Sequence, residues 1–207
     1  MSIKIRKAEQ SDSALVAWAM LESSRAGKKT GLFDLIFQTH SDKELLKQLE
    51  KLSLTSTKSH CHYSNFLIAV EDGKDVGALC GYEPRISTHE VLSKALNELG
   101  IDESYNERIS AYFLCFPEVD RQTWILDFME VKDDAHEFSV LKELIQKSLL
   151  TARLKGYRKV QTIVEIGSAE IQLTYEKLGF EFIDEKHSDY YLETFGRLGI
   201  MRLGMHL

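Results

Sequence analysis

A mixed α/β sandwich around one central mixed sheet is the architecture this sequence predicts, and two stretches carry the prediction. Residues 124–131 (WILDFMEV) are rich in large apolar and aromatic side chains and short enough for a strand. Val140, Leu141, Leu144, Ile145, Leu149 and Ala152 then recur at helical spacing, and residues 159–166 form a β-branched run with partial alternation. A strand, helix and strand joined by a crossover of this length are parallel neighbours with a right-handed connection. The second stretch is antiparallel: residues 65–70 (NFLIAV) and 76–82 (VGALCGY) flank EDGKD, where Asp72-Gly73 is a strong hairpin signal.

The remaining elements follow in chain order. Residues 2–7 read as a first strand, with Ile3 and Ile5 alternating with charged residues. A helix follows over 8–21, with Ser11 or Ser13 as cap and Leu15, Trp18, Ala19 and Glu22 on one face. Residues 27–31 are a loop, and 33–37 are apolar. Ser41-Asp42-Lys43-Glu44 is a capping box that opens a helix through Leu45, Leu46, Leu49 and Leu52. A Ser/Thr-rich turn over 53–59 leads to His60-Cys61-His62-Tyr63, a loop entering the next strand. Pro84 closes the second hairpin strand. Thr88 caps a helix over 88–100 with Val91, Leu92, Ala95, Leu96 and Leu99 on one face, and 105–116 continues in helical or irregular form. After the long helix Gly156 is the stop, with Arg153 and Lys155 in the last turn. Ser168 caps a last short helix whose Ile171, Tyr175 and Leu178 share a face and which Gly179 ends. Residues 181–187 read as a strand, and 189–207 as a closing strand with its approach.

Composition narrows the function. The 207 residues suit a single domain, here with a helical insertion at about 85–120, and 43% hydrophobic content supports a full core. A net charge of −6 with no basic run argues against nucleic acid as partner. No apolar run approaches the ~18 residues of a membrane span, so no membrane partner is expected. Residues 1–13 lack the apolar core of a signal peptide, and Cys61, Cys80 and Cys115 are scattered, without a CxxC pair; the chain reads as reduced and cytoplasmic. The GKKTG loop lacks the longer glycine-rich run of a phosphate loop. His60 and His62 have no further Cys/His pair at zinc spacing, so no metal is expected. Asp127 is the one acid in the middle of the 124–131 strand, between Leu126 and Phe128, which is costly unless the carboxylate is paired or useful.

The motif TYEKLGF, residues 174–180, resembles the end of the GNAT acetyltransferase fold, where a helix carries Tyr-x-Lys-x-Gly-Phe and a strand follows. The order of elements over 124–180, the Ile-Arg-Lys-Ala opening and the hairpin FLIAVEDGKDVGALCGYEP fit the same family. The resemblance implies that the fourth and fifth strands splay near 129–131 and 164–166 and that acetyl-CoA, as co-substrate, slots its pantetheine into the gap. It implies Tyr175 as the acid that protonates the departing thiolate, and Asp127, with Glu130 as second choice, as the group that accepts the amine proton. Met129, Glu130 and Val131 would meet pantetheine, and Ser168 stands where Asn is frequent. The pyrophosphate loop maps onto VKDDAHEFSVL: His136 replaces an arginine, Glu137, Ser139 and Leu141 replace small residues, and Phe138 and Val140 lie between them. Asp133, Asp134 and Glu137 add negative charge there, so weakened nucleotide binding is expected. Phe33, His62, Tyr63 and Tyr82 are candidates for the acceptor pocket. The 85–120 insertion would cap the active site or form the surface of a homodimer. The reading is an N-acetyltransferase acting on a primary amine of a small molecule or protein, by direct attack. The alternatives are an inactive ligand-sensing or interaction module, and a transferase using a carrier-protein thioester.

Overall fold

The computed structural model describes residues 2–132 and 136–207. Its strands are β1 (Ile3–Lys7), β2 (Phe66–Glu71), β3 (Lys74–Tyr82), β4 (Thr123–Val131), β5 (Lys159–Glu165), β6 (Glu181–His187) and β7 (Gly199–His206). They form a seven-stranded sheet in the order β1-β2-β3-β4-β5-β7-β6. Every neighbouring pair is antiparallel except β4 with β5, which is parallel. The β2–β3 turn has φ of 48° at Asp72 and 81° at Gly73, the left-handed pair that a tight hairpin of this hand requires.

Helices cover both faces. On one lie α1 (Ser13–Arg25), α2 (Leu32–Phe37), α3 (Asp42–Ser53), α4 (His89–Glu98), α5 (Tyr105–Arg108) and α6 (Ser110–Cys115), with Ile68, Cys80, Tyr82, Ile125 and Phe128 of the sheet in their core. On the other lie α7 (Glu137–Leu154) and α8 (Ala169–Lys177), over Leu67, Leu79, Trp124 and Leu126. The segment between β3 and β4 is helical, as the sequence predicts, and α4 is capped by Thr88 Oγ1, which accepts the Val91 N–H at 3.3 Å.

Several local expectations are corrected. Val16, Ala17, Ala19, Met20 and Leu21 of α1 are buried, a broader set than the expected Leu15, Trp18, Ala19 and Glu22. The reason is that α1 packs on α3 as well as on β4. Its N-cap is Asp12 rather than Ser11 or Ser13, and the Asp12 carboxylate is engaged by the Glu9 N–H (2.7 Å) and by Arg6 (2.6 Å). Half of the capping box at α3 forms. Ser41 Oγ accepts the Glu44 N–H at 3.3 Å, while the Glu44 carboxylate takes the N–H of His40. Ser168 is the N-cap of α8, yet its hydroxyl makes no capping bond. The approach to the closing strand is itself a helix, α9 (Asp189–Phe195), capped by Ser188 Oγ on the Tyr191 N–H (3.2 Å) and ended by Gly196 at φ 69°. The apolar β7 takes the interior place beside β5, and β6, exposed at every residue, is left as the edge.

Two backbone features shape the middle of the sheet. Parallel pairing of β4 with β5 runs from Thr123↔Lys159 to Leu126↔Thr162 and stops. Beyond it β4 stays paired with β3 up to Val131↔Gly77, and β5 with β7 up to Glu165↔Ile200. A wedge-shaped gap therefore opens at Asp127 and Ile163, a few residues earlier than the expected 129–131 and 164–166. At the same point β4 bulges: Ala78↔Glu130 and Cys80↔Asp127 set three steps of β4 against two of β3, and Phe128 sits at φ 45°. A non-glycine residue there stores of order 1–3 kcal/mol of strain, and bulges of this kind re-aim side chains beside active sites.

Candidate active site

The gap opens into a cavity of about 260 Å³. Its walls come from β4 and β5, from the end of α1 (Ser23, Ser24), from Tyr112 and Phe116, from Tyr175 of α8 and from Tyr191 and Phe195 of α9. The end of α1 is held in place by Arg25, which reaches Asp34 of α2 and Asp42 of α3, each at 2.7 Å. Gly31 lets the following loop close on α1, since a Cβ there would stand 2.3 Å from the Ser24 carbonyl oxygen.

The bulge decides which side chains share a face with Asp127. Trp124 and Leu126 pack on the α7 side and Ile125 on the α1 side; the bulge keeps Phe128 on the α1 side too, and returns Met129 to the other face. Asp127 borders the cavity beside Tyr82, which donates to its Oδ2 at 3.3 Å, while Oδ1 accepts the Phe128 N–H at 2.8 Å. Burial pushes the carboxyl up to about 6, against the pull of those two hydrogen bonds. The neighbouring ionisable groups stay neutral around it. Burial and the Asp127 charge hold Cys61, Cys80, Tyr82 and Tyr112 above their usual ranges, and burial takes His60 down to about 4.

Tyr175 lies on the opposite side of the gap, 3% exposed. Its hydroxyl receives a long bond from Thr162 Oγ1 (3.4 Å) and points to Met129 Sδ at 3.8 Å. Burial pushes its pKa well above the usual tyrosine range, so it is a protonated donor at neutral pH. Ser168 Oγ is buried without a partner among the described residues, and Ser168 borders the cavity.

The structure brings Asp127, Met129, Glu130, Val131, Glu137, Leu141, Ser168, Tyr175 and Tyr82 to this one cavity. Other candidates stand apart. Val140 is fully buried in the core, and Phe138 and Ser139 are exposed in the first turn of α7. His136 Nδ1 lies 3.0 Å from Glu71 Oε1, so the imidazole is engaged by β2. Asp133 and Asp134 lie outside the described residues. Phe33 is a core residue whose ring meets Phe128 at 5.7 Å; Tyr63 packs against the core and against His62, whose Nδ1 is tied to Ser64 Oγ at 2.8 Å. None of these three borders the cavity.

Glu165 is a site residue that sequence reasoning missed. It borders the cavity from the end of β5, accepts from the Tyr191 hydroxyl at 3.0 Å, and is paired with Lys28 (3.0 Å) and Arg197 (3.6 Å). The signal used for Asp127, an acid between apolar residues on a strand, was present also in Val164-Glu165-Ile166. The aromatic walls from α6 and α9 carried no such signal, because nothing local says which cavity an aromatic will face.

A mixed sheet split between two parallel strands over a cavity, with helices on both faces, is the GNAT acyl-CoA N-acyltransferase fold. Solved structures agree. An acetyltransferase structure superposes with a TM-score of 0.68 at 18% identity, over 96% of this chain and 97% of its own. An N-acetyltransferase from Staphylococcus aureus Mu50 gives 0.65 at 15% identity, over 98% and 100%. The Salmonella typhimurium protein yncA, solved with its cofactor acetyl-CoA, gives 0.55 at 14% identity, over 100% and 95%. At these identities the likeness is one of fold. No family model and no curated protein matches the sequence.

Proposed function

We propose that this chain is an acetyl-CoA-dependent N-acetyltransferase acting on a primary amine by direct attack, and that it folds as one domain in which the segment at 85–120 is an insertion. The observation that carries the reading is the pairing, in one cavity, of a carboxylate poised near neutrality with a buried, protonated tyrosine across an open strand gap.

The residues present fit a pantetheine chain. The ladder between β4 and β5 stops at Leu126↔Thr162, so backbone groups at Met129 and Val131 are available to an extended ligand as to an added strand. The orphaned Ser168 hydroxyl supplies a further hydrogen-bonding group. The first turn of α7, at Glu137, Phe138 and Ser139, offers amides and a helix dipole to phosphate. Glu137 works against it, since its carboxylate borders the cavity.

Acetyl-CoA supplies the thioester carbon that the amine attacks. Asp127 accepts the proton of the ammonium, directly or through water, so that the neutral amine is available; a carboxyl near 6 is mostly ionised at pH 7 and above and so is free to take that proton. Tyr82 orients the carboxylate through its hydrogen bond. Tyr175 would donate a proton to the departing sulfur as the C–S bond breaks, and the remaining proton lost by the attacking nitrogen would restore the tyrosine. The test is a melting curve with acetyl-CoA followed by thiol release with an amine panel. A ligand at ~100 times its Kd stabilises by about 2.7 kcal/mol. No melting shift at millimolar acetyl-CoA together with no thiol release would end the reading in favour of a non-enzymatic module.

A further inference from the structure

A second cavity, of about 280 Å³, adjoins the first and shares Leu32, Tyr82, Tyr112 and Phe116 with it as walls. The helical segment between β3 and β4 builds most of it, through Pro84, Leu92, Ile109, Phe113 and Val119. The two chambers differ in charge. Asp127, Glu130, Glu137, Glu165 and Glu170 border the first, and no Lys, Arg or His among the described residues does. Among the described residues no Asp, Glu, Lys or Arg borders the second. His60 and His89 do, and burial keeps His60 neutral at pH 7.

The polar side chains of the second chamber at Ser87, Thr88 and His89 are engaged already, while His60 Nδ1 is buried without a partner among the described residues. Ser87 Oγ donates to the Pro84 carbonyl (3.0 Å), Thr88 caps α4, and His89 Nε2 meets Asn106 Oδ1 (2.7 Å) with its ring edge-on to Phe113. What this chamber offers is apolar, aromatic-walled volume. A dry cavity of ~150 Å³ already holds benzene, so about 280 Å³ admits a one- or two-ring body. Tyr82 joins the chambers: its hydroxyl reaches Asp127 at 3.3 Å, and its ring borders the second chamber, 5.3 Å from the His60 ring.

We propose that the acceptor is a monoamine with a neutral aromatic body, its ammonium at Asp127 and its ring in the second chamber. This rests on the transferase reading and adds the substrate class. A diamine would place its second charge in a neutral, desolvating chamber, at a cost. An amino acid would bring a carboxylate into a chamber bordered by five acids, where the nearby cations Lys28 and Arg197 are already paired with Glu165. An alkylamine without a ring would leave the apolar walls wet.

The test is equilibrium binding to the full chain at pH 7.5, without acetyl-CoA, of phenethylamine, ethylamine and spermidine. Phenethylamine is expected to bind at least tenfold tighter than either of the others. Val119→Trp, which fills the chamber from a half-buried wall, is expected to weaken phenethylamine at least tenfold and leave ethylamine unchanged; Leu92→Phe is a second filling variant. Equal binding of phenethylamine and ethylamine, a preference for spermidine, or a filling variant that melts like the wild type and still binds phenethylamine as the wild type does, overturns the proposal. If neither variant folds, the three-probe comparison on the wild type decides. Tight phenethylamine binding with no acetyl transfer would sink the transferase reading and leave the chamber standing. Transfer to other amines without the aromatic preference would sink the chamber alone.

Discussion

Replacing Asp127 with asparagine separates stability from catalysis in a way that can be worked from the structure. In the unfolded chain the carboxyl ionises near ~3.9; in the folded protein burial holds it near 6. Folding therefore favours the protonated form. The stability tied to it is fully present below ~4 and is lost as pH rises through about 6. At ~1.36 kcal/mol per pKa unit, the ionised carboxylate at pH 8 costs about 3 kcal/mol. Asparagine removes that cost. It can still accept one hydrogen bond, from Tyr82 or from the Phe128 N–H, and loses the other, worth about 1 kcal/mol. The expected net gain at pH 8 is about 2 kcal/mol, a rise in Tm of roughly 4–8 °C for a chain of this size. By pH 4 the gain should vanish or reverse. The neighbouring Cys61, Cys80, Tyr82 and Tyr112 stay neutral over this range, and His60, near 4, is common to both proteins, so the pH dependence of the difference between them reports Asp127. Melting curves of both proteins from pH 4 to 8 give the stability arm. In the activity arm, wild-type kcat/KM should rise with pH through an inflection near 6, and the variant should lose about 10²–10⁴-fold. A Tm difference that is the same at pH 5 and pH 8 would refute the claim that this carboxylate is strained by burial.

Other outcomes follow from the same geometry. Tyr175→Phe removes a hydroxyl whose hydrogen bond is long (3.4 Å), so it should cost no more than about 1 kcal/mol in a denaturant melt, leave acetyl-CoA binding intact and lower kcat about 10²-fold. Glu137→Gln removes a carboxylate from the cavity wall at the start of α7 and should tighten acetyl-CoA several-fold, the gain shrinking in calorimetry at high salt. Arg197→Ala leaves Glu165 with Lys28 and Tyr191 alone and should destabilise by about 1–3 kcal/mol in urea unfolding. Gly31→Val forces a side chain against the Ser24 carbonyl and should lower Tm by several degrees while disturbing the α1 wall of the cavity, read as a higher KM for the amine.

Much of the fold was written in local pattern. The periodicity of Val140 to Ala152, the β-branched run after Gly156 and the Asp72-Gly73 turn are short-range signals, and each places an element without knowledge of the rest. The same holds for Thr88, whose hydroxyl needs only its own helix. Asp127 was legible because an acid between Leu126 and Phe128 is anomalous on local grounds. What tertiary structure decided lies where several elements compete for one place. Alternation along β4 does not show the bulge at Phe128, because no glycine marks it and the strain is balanced by packing against Phe33, His60 and Phe66. Without that bulge Asp127 and Phe128 could not share a face. The pairing of Glu165 with Lys28 and Arg197 joins three distant parts of the chain, so no window of sequence contains it. His136 looked free to meet a phosphate until Glu71, far away in sequence, was seen beside it. The second chamber is the same case. Leu32, His60, Tyr82, Leu92 and Val119 are ordinary residues one by one, and the volume they enclose exists only once the sheet and the inserted helices close around it.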